Sequence, residues 1–196
     1  MKKNTMKYQI IYADPPWQIG KGGKKDVRKN SSGGALDYPT IPLQEIQSIL
    51  FDATALGDKD HAFFMWTIDK YLHDAEKIGK DLGYRLHARM IWNKVTGIPA
   101  AFTIRFGHEY LLWFYKERLM PIATEQRGKW HSVMTEQVTR HSQKPEIAYK
   151  FLESIYPNAE RLELFARKPR QGWDVWGNEV ESDIDLAALN KENDNE

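Results

Sequence analysis

Apolar residues in this chain come in short blocks, and their spacing switches between the two-residue period of a strand and the 3.6-residue period of a helix. Residues 8–13, Tyr-Gln-Ile-Ile-Tyr-Ala, are rich in β-branched and aromatic side chains and predict a strand. Thr40 offers an N-cap, and residues 42–50 carry Leu43, Ile46, Ile49 and Leu50 at helical spacing. Residues 61–66, His-Ala-Phe-Phe-Met-Trp, read as a buried strand. Residues 69–82 read as a helix with Leu72, Ala75, Ile78, Gly79 and Leu82 on one side, ended near Gly83. Two further strands are predicted at 84–92 and 109–115. Pro145 suits the first turn of a helix reaching Tyr156, with Ile147, Ala148, Phe151, Leu152 and Ile155 as its core face, and Pro157-Asn158 breaks it. A final strand is predicted at 161–165. The segments 18–37 and 116–143 are polar or glycine-rich without a clear period, and read as loops. Strands alternating with helices predict an α/β sandwich on a mostly parallel sheet. Ligands of such sheets bind beyond the carboxyl ends of the strands.

That rule directs attention to Asp14-Pro15-Pro16-Trp17, which directly follows the first strand. The prolines fix φ and contribute carbonyls without amide donors of their own. Asp14 and the Pro15 carbonyl are both acceptors, and Trp17 offers a flat face. Two acceptors beside an aromatic plate suit the exocyclic amine of a stacked nucleobase. The same four residues also make an ordinary turn followed by a core tryptophan.

Composition narrows the setting. The chain has 196 residues and no Cys, which excludes disulfides and thiolate metal sites and fits a cytoplasmic protein. No apolar run approaches the ~20 residues of a membrane span, and Met-Lys-Lys is not followed by a signal-peptide core. The net charge of +1 hides an asymmetry, because residues 181–196 hold six acids against one Lys. The body is therefore basic. Lys21, Lys24, Lys25, Arg28 and Lys29 form one cluster; Lys116, Arg118, Arg127, Lys129, Arg140 and Lys144 form another. Such clusters bind phosphates or are solvated loops.

Further motifs follow in order: Tyr38-Pro39-Thr40, Trp92-Asn93-Lys94, Gly107-His108-Glu109, His141-Ser142-Gln143-Lys144-Pro145-Glu146, Leu162-Glu163-Leu164-Phe165-Ala166-Arg167, and the run from Trp173 to Glu179. Together with Asp14–Trp17 they resemble the MT-A type adenine methyltransferases, and in particular their short bacterial and phage members. The resemblance covers roughly residues 7–180. It implies a Rossmann-like S-adenosylmethionine-dependent methyltransferase sandwich with permuted motif order, the catalytic segment first and the cofactor strand last. Residues 1–180 would form the domain and 181–196 a disordered acidic tail. The resemblance puts Asp14 near the cofactor's ammonium and the target amine, in a catalytic segment shared with Pro15, Pro16 and Trp17. It pairs Lys144 with the cofactor carboxylate, with Ser142 beside it, and sets Glu163, Arg167, Asn178 and Glu179 around ribose and adenine. Tyr38, Lys94 and His108 match the side of the target base, and Lys24, Lys25 and Arg28 lie where phosphates of the substrate would pass. Structural readings of several of these stand beside the functional ones: Lys144 as a surface residue, Glu163 facing solvent from an edge strand, His108-Glu109 as a plain turn.

Two departures from the family pattern matter. Longer members carry an acidic strand upstream that contributes to the adenine pocket, and here only a few residues precede the first strand. No insertion is large enough for a separate target-recognition domain, so sequence choice falls to loops or to a second subunit in a homo- or heterodimer.

The chemistry implied is transfer of a methyl group to adenine N6, yielding S-adenosylhomocysteine. It needs near-attack placement within about 3–3.5 Å, acceptors for the amine hydrogens, and no metal or covalent intermediate. A duplex base has to leave its stack to react. DNA in a bacterial cell or phage-infected host is the expected substrate, with RNA as the alternative by the same chemistry. A different class, a catalytically silent nucleic-acid-binding subunit, is opposed by the intact Asp14. A small-molecule substrate is opposed by the basic loops.

Overall fold

The structure, a computed structural model, describes residues 7–18, 40–98, 103–138 and 143–186. Strand β1 (Tyr8–Ala13) is followed by helix α1 (Leu43–Thr54), β2 (Gly57–Thr67), α2 (Leu72–Asp81), β3 (Arg85–Asn93), β4 (His108–Tyr115), β5 (Val133–Thr135), α3 (Glu146–Ile155), β6 (Arg161–Leu164) and β7 (Asp174–Trp176). The seven strands form one sheet in the order β5-β3-β4-β2-β1-β6-β7. Only β4 runs against the others: β2 and β3 pair with it antiparallel, and the remaining pairs are parallel. This is the expected Rossmann-like α/β sandwich.

Alternation along β1 divides the core. Ile11 and Ala13 join Ile46, Leu50 and Ala53 of α1 and Ala75 and Ile78 of α2. Ile10 and Tyr12 point the other way, with Ala148, Phe151, Leu152 and Ile155 of α3. Helices therefore cover both faces, and the buried stretches of the central strands, such as residues 10–13 of β1 and 62–66 of β2, are continuous apolar runs, as a sheet buried on both sides requires. Each of the Ile, Leu and Phe side chains contributes about 1.5–3 kcal/mol when fully buried.

Several boundaries differ from expectation. Thr40 does not cap α1; Pro42 holds the N-cap position without a side-chain bond, and its carbonyl accepts the N–H groups of Glu45 and Ile46. β2 begins earlier than predicted, through the charged stretch Asp58-Lys59-Asp60, because its first residues lie beyond the covered part of the sheet. The stretch 116–143 is not all loop. It contains β5, a short edge strand parallel to β3, and a 3-10 turn at Thr124–Gln126. The strand at β6 is not the last. β7 pairs beyond it, so β6 is internal and Glu163 lies inside the sheet, 8% exposed, instead of facing solvent. Past residue 180 the chain keeps packing: Ile184 and Leu186 are buried, and Asp183 accepts the Val175 N–H. Most of the glycine-rich loop, Tyr38, His141, Ser142 and residues 187–196 lie outside the described residues.

Candidate active site

Because six strands run one way, the ends of β1, β2, β3, β5, β6 and β7 share one edge of the sheet, and the reversed β4 enters that edge at its start. Asp14 follows β1, Lys94 follows β3, His108 and Glu109 open β4, Arg167 follows β6, and Asn178 and Glu179 follow β7. Lys144 arrives from the opposite layer, immediately before α3.

These residues form a linked row of charges. Lys144 Nζ lies 2.8 Å from Asp14 Oδ1 and 2.9 Å from Glu109 Oε2, and Lys94 Nζ lies 2.6 Å from Glu109 Oε1. All four are largely buried, their side chains 12–21% exposed. Burial alone would neutralise them. Burial pushes the Glu109 carboxyl up, but Lys144 and Lys94 outweigh it and hold it at about 2. For Lys144, burial works against the ammonium, and Asp14 and Glu109 reverse the balance so that its pKa is raised. Asp14 goes the other way: burial raises it, Lys144 offsets this only in part, and Glu109 adds repulsion. The contrast between the two acids has a simple cause. Glu109 faces two lysines, whereas Asp14 shares one.

On the α1 side of Asp14 lies a cavity of about 330 Å³, within the range of small-molecule sites. Asp14, Phe165, Arg167, Gly177, Asn178 and Glu179 line it, with Glu45 and Ile49 of α1 and Ile41 just before that helix closing it. Phe165 has φ of 61°, a left-handed backbone rare for an aromatic residue and characteristic of ligand-binding turns. A Cβ at position 177 would collide with the backbone of Ala166, so only glycine lets the two turns approach. Arg167 lies 3.6 Å from Glu179.

The residues singled out in the sequence thus fall into groups. Asp14, Arg167, Asn178 and Glu179 meet around one cavity, and Lys144 and Lys94 join Asp14 through Glu109. Glu163 is not in that lining. It faces α3, where its Oε1 accepts the Tyr149 hydroxyl at 2.8 Å, and burial raises its carboxyl to about 7. His108 pairs with the Tyr110 hydroxyl at 3.0 Å. Trp17 is 5% exposed; its Nε1 donates to the Trp66 carbonyl at 3.0 Å and its face stacks on Tyr71 at 5.2 Å. It braces the turn after β1 from inside the core and presents no open plate. The Pro15 carbonyl already accepts the Trp17 N–H at 2.9 Å, and Pro16 accepts from Ile41, so each has one lone pair engaged. Lys24, Lys25, Arg28, Tyr38 and Ser142 lie outside the described residues. Of the second basic cluster, Lys116 and Arg118 lie at the opposite edge, bonded to the Leu82 carbonyl and to Asp60.

Four contributors do not stand out in the sequence. Tyr149 sits on α3 among residues that read as core, Phe165 and Trp176 resemble strand fillers, and Glu136 lies in a stretch without a clear period. The alternating Leu162-Glu163-Leu164 pattern is the one signal that points to a buried acid with a partner. Among the described residues, no group of three or more His, Asp or Glu is arranged to hold a metal ion, and no helix is long and apolar enough to cross a membrane.

A permuted Rossmann-like sheet with an acidic turn after its first strand and a ligand-sized cavity beside it defines a methyltransferase. The chain belongs to the MT-A70 family, whose pattern it matches over residues 8–179. It is 30% identical over 191 residues to the Type II methyltransferase M.MunI of Mycoplasma sp, covering 89% of this chain and 78% of that one. It is 46% identical over 193 residues to the human N(6)-adenine-specific methyltransferase METTL4, covering 88% of this chain and 37% of that one. It is 24% identical over 197 residues to the human N(6)-adenosine-methyltransferase catalytic subunit METTL3, covering 95% of this chain and 31% of that one. The chain therefore spans only about a third of the human relatives and most of the mycoplasmal one.

Proposed function

We propose that this chain is an S-adenosylmethionine-dependent N6-adenine methyltransferase acting on DNA. The observation that carries the reading is the position of Asp14, which lines the 330 Å³ cavity on one side and pairs with Lys144 on the other. MT-A70 methyltransferases use S-adenosylmethionine, and the residues present fit its polar end. An acid and a cation 2.8 Å apart complement an amino-acid zwitterion, Asp14 for the ammonium and Lys144 for the carboxylate. Arg167, Asn178 and Glu179 supply donors and acceptors suited to hydroxyl groups. Bound there, the cofactor supplies an electrophilic methyl group.

The protein's share of the chemistry is placement. Asp14 accepts hydrogen bonds from the adenine amine and draws its lone pair out of the ring; the free lone pair of the Pro15 carbonyl is a second acceptor. Trp17, locked between Tyr71 and the Trp66 carbonyl, keeps this turn rigid. Rigid placement of polar groups around developing charge is the largest single contribution in many enzymes. The burial of the Lys94, Glu109, Lys144 and Asp14 side chains strengthens each interaction among them.

DNA is favoured because the similarity to the Type II methyltransferase runs over most of both chains. The test is incubation with tritiated S-adenosylmethionine and separate DNA and RNA pools, followed by nucleoside analysis. Label in N6-methyl-2′-deoxyadenosine is expected; label in N6-methyladenosine alone transfers the reading to RNA. Asp14→Ala should lower turnover by about 10²–10³, equivalent to about 2.7–4 kcal/mol of lost transition-state stabilisation, with the fold intact. Turnover at the wild-type level would refute the role of Asp14.

A further inference from the structure

Lys144 is held by two acids at its tip, but its backbone precedes a helix whose start has no cap of its own. Pro145 occupies the N-cap position and makes no side-chain bond. The first amides of a helix need partners. Here a residue from another part of the chain provides them. Glu136, just beyond β5, accepts the Glu146 N–H on Oε1 at 2.6 Å and the Ile147 N–H on Oε2 at 2.9 Å. Both oxygens are used, on the first two amides of α3, and a carboxylate is the favoured group at the positive end of a helix.

Glu136 is itself fixed to the catalytic edge of the sheet. Its carbonyl accepts the Trp92 Nε1–H at 2.8 Å, and its N–H donates to the Asn93 carbonyl at 3.3 Å. Asn93 precedes Lys94, which pairs with Glu109. One residue therefore ties the end of β3, where one lysine of the charge row begins, to the start of α3, where the other sits. The far side of that helix start is clamped independently: Arg170 makes a two-pronged contact with Glu146 at 2.7 and 3.0 Å.

We propose that Glu136 is a positioning residue for Lys144: by bridging the end of β3 and the first two amides of α3, it sets the Lys144 ammonium between Asp14 and Glu109 and so holds it ready for the cofactor carboxylate. The inference rests on the proposed cofactor role of Lys144, and the experiment separates the two. Glu136→Gln keeps the shape but replaces one acceptor by an amide donor that opposes a helix N–H. In the cofactor-free protein, acylation of Lys144 relative to exposed Lys150 of the same helix, read by mass spectrometry, should rise several-fold in this variant. The KM for S-adenosylmethionine should rise several-fold with kcat little changed. In a Lys144→Ala background the Glu136→Gln substitution should add nothing further to KM, since residues acting through one another are not additive. Unchanged relative labelling of Lys144 overturns the proposal, and so does an equal KM effect with and without Lys144. If Lys144→Ala alone leaves cofactor affinity untouched, the cofactor role of Lys144 fails, and the labelling ratio still decides whether Glu136 positions it. Should Glu136→Gln not fold, Glu136→Asp, one methylene too short for both amides, carries the same labelling test.

Discussion

Replacing Glu109 by Gln probes the charge row where it is most heavily tied. The carboxylate stands between Lys94 at 2.6 Å and Lys144 at 2.9 Å, on a side chain 12% exposed. The Gln side chain keeps the volume and removes the charge, leaving two buried ammonium groups against Asp14 alone. Breaking a buried ion pair by removing one partner costs about 3–5 kcal/mol, because the other charge stays desolvated. Proton linkage gives an independent figure. The two lysines hold the Glu109 carboxyl at about 2 against an ordinary 4.5. At ~1.4 kcal/mol per pH unit that is about 3 kcal/mol. The two figures agree. A folded-state pKa below the unfolded one contributes stability that is fully present above pH 4.5 and is lost as pH falls toward about 2. Urea or thermal denaturation of both proteins from pH 7 to pH 3 checks this. Near neutrality the variant should melt about 6–12 °C lower, at about 2–4 °C per kcal/mol for a domain of this size. Below pH 4.5 the gap should narrow steadily. Parallel stability curves across that range would show that the Glu109 charge is not what holds the row together.

Glu163 titrates in the opposite sense and in a different window. Burial raises its folded pKa to about 7, so stability is highest below pH 4.5 and falls as pH rises through 7; Glu163→Gln, which still accepts the Tyr149 hydroxyl, should abolish a loss of up to about 3 kcal/mol, and an unchanged pH profile in denaturant melts would contradict this. For the basic loop, replacing Lys24, Lys25, Arg28 and Lys29 by Ala should weaken DNA binding across all sequences and reduce the slope of log affinity against log salt by roughly 0.9 per lost phosphate contact. Binding isotherms at several salt concentrations decide it, and identical slopes would make this stretch a connector.

What can be read from sequence follows physical scale. β1, β6 and all three helices are legible because each presents several apolar residues at one period. The alternation of strands and helices is enough to put the two strand ends carrying Asp14 and Arg167 on one edge. β5 and β7 are not legible. Each has three residues with one buried side chain, Met134 or Val175, too few to show alternation, and each exists because a neighbouring strand supplies the ladder. The site is half visible. Asp14 and Lys144 stand out as residue types in motifs, but their 2.8 Å contact joins positions 130 residues apart and depends on how α3 docks. Glu109 resembles a turn residue because its partner lysines are distant in sequence. Trp17 shows the converse failure: its motif draws it toward the substrate, while its burial and its bond to the Trp66 carbonyl belong to the core.

Across the edge of the sheet from β3 to β7 the ionised groups alternate in sign: Lys94, Glu109, Lys144, Asp14, Arg167, Glu179. Arg167 acts on Asp14 through charge and closes on Glu179 at 3.6 Å. The reversed β4 makes this possible, because a seventh parallel strand would bring its carboxyl end to the site and send Glu109 to the far edge. Buried charges persist only when each is matched. Its four largely buried members, Lys94, Glu109, Lys144 and Asp14, satisfy that condition together, so removing the charge of any one of them leaves one net charge in a poorly solvated place. The same condition selects among ligands. A simple anion or cation entering between Lys144 and Asp14 would unbalance the row, whereas the amino-acid end proposed to bind there would add one charge of each sign. On the proposed role of Asp14 and Lys144, this balance suits the zwitterionic amino-acid end of the cofactor, whose sulfonium carries a further positive charge outside it.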